Sequence, residues 1–180
     1  MRNILIVGAG KSSPYLIKYL LDKSQEQNLY LNITDITIDH LLHHKKNNRC
    51  TVSTINILDD KERERYLLKN DIIISMLPAR LHMILANSCL KLKKNLITAS
   101  YVSDEMRSIN KSVKDGNLIF LNEMGLDPGI DHMSAKKVID KLKENSSSIY
   151  SFKSYTGGLI APESDNNSWN YKFTWNPRNV

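Results

Sequence analysis

Cysteine, glycine and long apolar runs are all scarce in this chain of 180 residues, which holds two cysteines and seven glycines. Cys50 and Cys89 lack the close spacing of a metal site, so we expect two reduced thiols, a cytoplasmic location and no bound metal. No segment approaches the roughly 18 apolar residues of a membrane span, and the N-terminal MRNILIVGAG has no features of a signal peptide. We therefore expect no association with a membrane.

The chain also lacks a concentrated patch of one charge, although its formal net charge is +6. Its lysines are spread along predicted helices, and no basic cluster is interleaved with aromatic side chains. We interpret the positive charge as a solvated surface and expect no nucleic-acid partner.

Short apolar segments alternate with amphipathic ones along most of the chain. The apolar segments predict strands over residues 3–8, 29–35, 50–56, 71–77, 95–99 and 117–121. The amphipathic segments predict helices over residues 14–23, 36–46, 60–69, 79–93 and 103–114. Strands that are apolar on both faces and are separated by helices indicate an α/β fold, a doubly wound parallel sheet with helices on both sides.

The composition changes after about residue 150, where aromatic residues, Gly, Pro and Asn become frequent. We expect a first domain over 1–125 and the start of a second, α+β domain over 126–180, so that the chain is a fragment of a longer protein. Four aromatic residues alternate with period two and predict one face of a strand: Trp169, Tyr171, Phe173 and Trp175.

A phosphate-binding turn is predicted where the first strand ends, in the segment GAGKSSP. It follows the G-x-G-x-x-G plan of the Rossmann fold, except that Ser13 replaces the third glycine. The first two glycines allow a tight turn, and Ser12 or Ser13 can cap the helix whose N–H groups would face a pyrophosphate. We predict that Gly8, Gly10, Lys11, Ser12 and Ser13 bind the cofactor, the alternative being a purely structural turn.

The second predicted strand ends at Asp35, about 25 residues after the second glycine. An acid at this position can accept hydrogen bonds from both ribose hydroxyls and repels a 2′-phosphate, which favours NAD over NADP. Lys11 and His40 supply cations that could tolerate the phosphate, so NADP stays open. Asp35 could alternatively only cap the helix that follows it.

Five segments resemble the saccharopine dehydrogenase family, in its glutamate-forming branch: ISMLPARLH, SYVSDEMRSIN, GLDPGIDHM, SYTGGLIAPES and NYKFTWNPRNV. The resemblance runs from the first strand to Val180, and the segments follow the family's order and spacing. It implies an enzyme of lysine metabolism that uses NAD(P) to cleave saccharopine oxidatively to glutamate and aminoadipate semialdehyde, or to run the reverse reaction. The partner would be a small amino-acid substrate, and a homodimer is left open.

The resemblance also implies roles for residues at the ends of two predicted strands. Ser75, Leu77 and Pro78 would line the nicotinamide side of the cofactor. Ser100 would contact the cofactor or the substrate, and Tyr101 would contact the substrate and relay a proton.

The segment GLDPGIDHM would present Asp127 to the substrate amine or to a water, where its charge would stabilise the developing imine. Asp131 and His132 would lie in the first turn of the next helix, with a structural role as the alternative for each. Family members carry Cys where this chain has Thr156, which argues against an essential thiol and leaves Thr156 as a substrate contact. Arg178 would suit a substrate carboxylate.

Two alternatives remain beside the saccharopine reaction. The chain could belong to a related dehydrogenase for another carboxylated secondary amine, such as carboxynorspermidine. It could also be a dinucleotide-binding module without catalysis, which the missing third glycine favours and the presence of Asp35, Tyr101 and Asp127 disfavours.

Overall fold

A parallel sheet forms the centre of the first part of the chain in the computed structural model, which describes residues 1–155, 157–158 and 160–173. Its strands run in the order β3-β2-β1-β4-β5-β6, and every neighbouring pair is parallel. The strands are β1 (Arg2–Val7), β2 (Leu29–Asp35), β3 (Cys50–Thr54), β4 (Ile72–Ser75), β5 (Asn95–Thr98) and β6 (Phe120–Leu121). This order confirms the predicted doubly wound fold, and it reverses direction between β1 and β4.

Apolar side chains project from both faces of the sheet, and each face is covered by a cluster of packed residues. Ile4 and Ile6 of β1 pack into one cluster with Ile17 of the first helix, while Leu5 and Val7 pack into a second cluster on the opposite face. Alternate residues of a strand point to opposite faces, so a continuously apolar strand supplies both clusters. The same geometry explains why the sequence of β1 shows no polar alternation.

Two of the described helices begin with a side-chain cap. The α-helices are α1 (Pro14–Lys23), α2 (Asp60–Leu68), α3 (Ala79–Lys91), α4 (Asp104–Ser108), α5 (Asn110–Asp115) and α6 (Ile130–Glu144). Asp59 caps α2 by accepting from the Glu62 N–H, and the Ser103 hydroxyl caps α4 by accepting from the Met106 N–H. No helix in the described ranges is long and apolar enough to cross a bilayer.

Two predicted helices differ from the structure. Residues 36–46 form a 3₁₀ helix over Asp39–Lys46, and the predicted helix 103–114 is divided at Ile109 into α4 and α5. Near this break, the Ser108 hydroxyl donates to the Glu105 carbonyl at 2.7 Å, a local bond that competes with the regular helical pattern.

The predicted strand of alternating aromatics is wrong over the described residues 169–173, which contain no strand. Asn167 accepts from the Trp169 N–H and Asn170 has φ +50°, so the chain turns here. Trp169 is exposed and Tyr171 meets Phe173 edge-on at 5.5 Å. Trp175 lies outside the described residues.

The chain divides into two units, Met1–Gly129 and Ile130–Val180. The first unit contains the whole sheet, and the second contains α6 and a 3₁₀ helix over Pro162–Ser164. The boundary predicted between residues 125 and 126 stays a prediction about domains.

Candidate functional site

The turn after β1 is shaped for the close approach of a ligand. Gly8 has φ +92°, and a Cβ there would lie 2.9 Å from the backbone of Met76, so a larger residue does not fit. A Cβ at Gly10 would meet no atom within 4 Å, which shows open space beside the turn. The N–H groups of Gly10, Lys11 and Ser12 make no hydrogen bond within the described residues. They lie just before α1 and are available to an anion.

Ser13 closes this turn from the inside. Its side chain is buried, and its hydroxyl donates to the Gly10 carbonyl at 2.8 Å. Ser13 is the N-cap residue of α1 but makes no side-chain cap, so the predicted capping by this hydroxyl is wrong. The serine at the third glycine position stabilises the turn, and its contact with the cofactor stays a prediction.

Asp35 holds the turn against the end of β2. Its carboxylate accepts from the Ala9 N–H and from the Ile36 N–H, both at 2.6 Å. His40 Nε2 lies 2.8 Å from the Ala9 carbonyl oxygen, to which it can only donate. The Ala9 N–H and carbonyl are therefore held by Asp35, the last residue of β2, and by His40, which follows β2.

A cavity of about 590 Å³ opens at the carboxyl ends of β1 and β4. Predicted cofactor residues line it: Gly8, Gly10, Asp35, Leu77 and Pro78. Ile55, Ile57 and Leu81 add an apolar wall, and Arg80 adds a cation that sequence reasoning did not single out. Donors for a pyrophosphate, an acid near the ribose position and an apolar wall fit a dinucleotide at the point where the strand order reverses.

A buried polar chain lies where β4 and β5 end. The Ser75 hydroxyl is 2.8 Å from His82 Nδ1, and the Ser100 hydroxyl is 2.8 Å from His82 Nε2. His82 is only 5% exposed, and burial lowers its pKa from the ordinary value. Ser75 is fully buried, and its hydroxyl contacts His82. Its predicted contact with the cofactor stays a prediction.

Sequence reasoning missed His82, although a signal was present. In α3 this histidine shares a helical stripe with Leu85, Ala86 and Cys89, all of which are buried. A polar residue on an apolar stripe requires a buried partner. That spacing could have identified His82.

Tyr101 and Asp127, the two predicted catalytic residues, lie together. The Tyr101 hydroxyl donates to Asp127 Oδ1 at 3.0 Å across 26 positions of sequence. Asp127 Oδ2 has no hydrogen-bond partner in the described part of the chain. The pair therefore keeps one carboxylate oxygen available to a ligand.

The turn that carries Asp127 has a backbone that only glycine permits at its end. The Asp127–Pro128 peptide bond is cis, and the Gly125 N–H donates to the Pro128 carbonyl at 2.9 Å. Gly129 has φ +148°, and a Cβ there would lie 2.1 Å from the Gly125 carbonyl oxygen. The glycines of GLDPGIDHM therefore serve the turn itself.

Backbone bonds bring the two chain segments of this pair together. After β6 the chain runs beside the segment that follows β5, with the Met124 N–H donating to the Thr98 carbonyl and the Glu123 N–H donating to the Ser100 carbonyl, both at 3.0 Å. The Glu123 carboxylate in turn accepts from the Val102 N–H at 3.1 Å. These bonds explain how residues 101 and 127 meet at the carboxyl edge of the sheet.

The remaining predicted residues belong to the second unit. His132 Nδ1 is 2.7 Å from Asp131 Oδ1 in the first turn of α6. Thr156 and Arg178 lie outside the described residues. Their predicted substrate contacts stay predictions.

Both cysteines are buried in the first unit as free thiols. Burial raises the pKa of Cys50, and it raises the pKa of Cys89 to about 12. A thiol with a raised pKa is a poor nucleophile, so neither cysteine is suited to covalent chemistry.

Comparison with known proteins agrees with this geometry. A family model of the saccharopine dehydrogenase NADP binding domain matches residues 4–121, and one of the saccharopine dehydrogenase C-terminal domain matches residues 125–180. The chain is 36% identical over 182 aligned positions to a mitochondrial alpha-aminoadipic semialdehyde synthase of Rattus norvegicus, a match that covers 99% of this chain and 19% of the relative.

The matching proteins of yeast are shorter, so this chain covers a larger share of their length. The chain is 31% identical over 179 residues to the saccharopine dehydrogenase (NADP(+), L-glutamate-forming) of Saccharomyces cerevisiae, covering 99% of this chain and 40% of the relative. A solved apo structure of the L-Glu-forming saccharopine dehydrogenase from this yeast superposes with a TM-score of 0.80 and 30% identity, over 97% of this chain and 39% of that one.

The chain thus spans two fifths or less of the length of these relatives. The resemblance predicted from the five segments is confirmed, and residues 4–121 match an NADP-binding domain of the Rossmann type. The chain belongs to the saccharopine dehydrogenase family.

Proposed function

We propose that this chain contributes the dinucleotide-binding part and the first substrate-binding residues of an oxidoreductase that interconverts saccharopine with glutamate and aminoadipate semialdehyde. The observation that carries the proposal is the bond between Tyr101 and Asp127 at 3.0 Å. It places a phenol and a carboxylate at the same edge of the sheet as the cavity that fits a dinucleotide.

A bound nicotinamide dinucleotide would accept a hydride from the carbon next to the saccharopine amine, on the lysine side, after which water hydrolyses the imine to the two products. The role of Asp127 in this reaction would be electrostatic. Its Oδ2 oxygen would accept from the amine N–H and stabilise the positive charge of the imine. Tyr101 would hold the other carboxylate oxygen, and its hydroxyl would pass a proton to or from water during hydrolysis.

The choice between NAD and NADP depends on the charge that a 2′-phosphate would meet. An acid at the position of Asp35 is expected to favour NAD, but both its oxygens already accept from backbone N–H groups, and Arg80 lines the same cavity. The family model and the yeast relative carry NADP in their names. We therefore expect this chain to bind both dinucleotides, with Asp35 weakening the binding of NADP.

The test is the Asp127→Asn substitution in the full-length protein that carries this chain. Turnover of saccharopine should fall by about 100-fold or more, the range typical for loss of a positioned charged or proton-transferring group, while NADPH binding changes little. The exposed Asp115 gives a matched control, because Asp115→Asn removes a charge from the same unit and should leave turnover unchanged. Equal turnover in the two variants would refute the role of Asp127.

The same assay separates the alternatives. A protein that oxidises carboxynorspermidine and not saccharopine belongs to the related dehydrogenase, and one that binds dinucleotide but oxidises neither amine is a binding module. The name of the rat relative places that protein in mitochondria, and the cytoplasmic location and homodimer considered for this chain stay predictions.

A further inference from the structure

Two hydrogen bonds join Ser75, His82 and Ser100, and the hydrogen-bonding capacity of imidazole limits which atom donates in each. Neutral imidazole has one N–H donor and one acceptor nitrogen, so His82 must donate to one serine and accept from the other. The position of the ring proton decides whether the Ser100 O–H donates to His82 or is available to another acceptor. The hydrogen bonds of Ser75 and Ser100 are therefore coupled through the imidazole ring of His82.

Ser75 decides the tautomer because it has no alternative partner. Its side chain is fully buried, and His82 Nδ1, at 2.8 Å, is the only hydrogen-bond partner of its hydroxyl among the described residues. If Nδ1 carried the proton, the Ser75 O–H would point into the protein without an acceptor, which disfavours that tautomer by about tenfold or more. The favoured arrangement is therefore a Ser75 O–H that donates to Nδ1, with the ring proton on Nε2.

The consequence appears at Ser100, which is only partly buried at the end of β5. In that tautomer the Nε2–H of His82 donates to the Ser100 oxygen, which lies 2.8 Å away. That bond occupies a lone pair of Ser100 and leaves its O–H without an acceptor in the described residues. Ser100 is thus presented as a donor, beside Tyr101 in sequence and at the edge of the sheet that holds the cavity.

We propose that Ser75 holds His82 in the tautomer protonated at Nε2, so that Ser100 is kept as a hydrogen-bond donor to an acceptor oxygen of the bound ligand. That oxygen is the carboxamide oxygen of a nicotinamide or a carboxylate oxygen of the substrate. His82 is then a positioning residue and Ser100 the contact. The contact of Ser100 with the ligand rests on the proposed function, whereas the tautomer of His82 does not.

The tautomer is measured by two-bond proton–nitrogen NMR on the full-length protein labelled with ¹⁵N-histidine, with His82→Asn identifying the signals. We expect Nε2 protonated and Nδ1 unprotonated, and a mixture of both tautomers in Ser75→Ala. Ser24→Ala is the matched control, because Ser24 is also buried and its hydroxyl donates to the Leu21 carbonyl in α1. A ring protonated at Nδ1 in the unsubstituted protein overturns the proposal.

The donor role is measured by titration of Ser100→Ala with NADPH and with 2′-phospho-ADP-ribose, which lacks the nicotinamide. A loss of about 3- to 10-fold for NADPH alone, the usual effect of one hydrogen bond, assigns the acceptor to the carboxamide. Unchanged binding of both, with a similar rise in the KM for saccharopine, assigns it to the substrate. Loss of neither affinity overturns the proposal.

Two further variants separate the donor from a merely structural role. Ser100→Thr keeps a hydroxyl and should restore binding that Ser100→Ala loses. Ser75→Ala should weaken the same ligand, and adding it to Ser100→Ala should cause no further loss, because both act through one chain of bonds. An Nε2–H tautomer and a binding defect in a protein that does not oxidise saccharopine would reject the proposed function and leave this inference intact.

Discussion

The two units of this chain bury their apolar residues to very different extents. In Met1–Gly129, side chains from both faces of the sheet fill two clusters, and Leu5, Ile6 and Ile73 are completely buried. In Ile130–Val180, the 15-residue helix α6 has no buried residue, and Ile130 and Val138 are each 60% exposed.

The difference indicates what stabilises each unit. Burial of apolar surface is the main favourable contribution to folding, so the first unit carries its own source of stability. A helix of about 15 residues is marginal in water unless it buries an apolar face, and α6 has no buried residue and carries the local pair of Lys136 with Asp140. The residues of the candidate dinucleotide site all lie within the well-packed unit.

The largest expected effect comes from truncating one apolar residue in each unit. Leu5→Ala should lower the free energy of unfolding by about 2–5 kcal/mol, because it leaves a cavity in a fully buried cluster. Val138→Ala should change it by less than about 0.5 kcal/mol. Urea denaturation followed by circular dichroism measures both. Similar losses for the two variants would remove the distinction between the units.

The next effect concerns glycine in the two units. Gly8→Ala should lower the free energy of unfolding by about 1–3 kcal/mol, because φ is +92° and the new Cβ meets the Met76 backbone. Gly157→Ala is the control, since its Cβ would meet no atom of the described residues within 4 Å. A thermal melt of each variant, compared with the unsubstituted chain, checks the order. If Gly8→Ala melts at the same temperature, the turn is not constrained as described.

A smaller effect compares a side-chain-capped helix start in the first unit with an exposed ion pair in the second. Asp59→Ala removes the side-chain cap of α2 and should cost about 1 kcal/mol. Asp140→Ala removes the partner of Lys136 in α6 and should cost about 0.3–0.5 kcal/mol. Urea titrations of both variants give the ratio. A larger loss for Asp140→Ala would show that α6 contributes more to stability than its exposure indicates.

The smallest change is a pH dependence that arises from the buried histidine. Burial lowers the pKa of His82 below 6.5, so the unfolded chain takes up this proton at a higher pH than the folded one. The contribution of neutral His82 to the free energy of unfolding is therefore complete above about pH 6.5 and declines as the pH falls through that value.

Melting temperatures between pH 5 and pH 8 check this slope, which His82→Asn should reduce. His44, whose pKa is lowered by burial and by the charge of His43, contributes with the same sign. The variant His44→Gln should therefore keep the part that is due to His82. An unchanged slope in His82→Asn would contradict the assignment.

The sheet could be predicted because its signal is local. The central strands are short runs such as Ile72 to Ile74, apolar for both faces, and the helices between the strands fix the parallel direction. The glycines and Asp35 were found for the same reason, since their spacing along the chain is the motif. The fold class and the position of the tight turn after β1 therefore followed from the sequence alone, and phosphate binding at that turn stays a prediction.

What could not be predicted depends on contacts between distant segments or on side-chain competition. The bond from Tyr101 to Asp127 joins two turns, and only the family resemblance suggested both residues. His82 reaches serines on two strands, a relation that no local pattern contains. The alternating aromatics misled because Asn167 and Asn170 impose a turn on Trp169.

The most direct test of the central claim is a calorimetric titration of this chain with NADH and NADPH, run beside a thermal melt. The account predicts binding of both dinucleotides, tighter binding of NADPH in Asp35→Ala, and loss of binding in Gly8→Ala. A chain that melts cooperatively and binds neither dinucleotide would contradict the claim that the turn after β1 and the cavity beside it form a cofactor site.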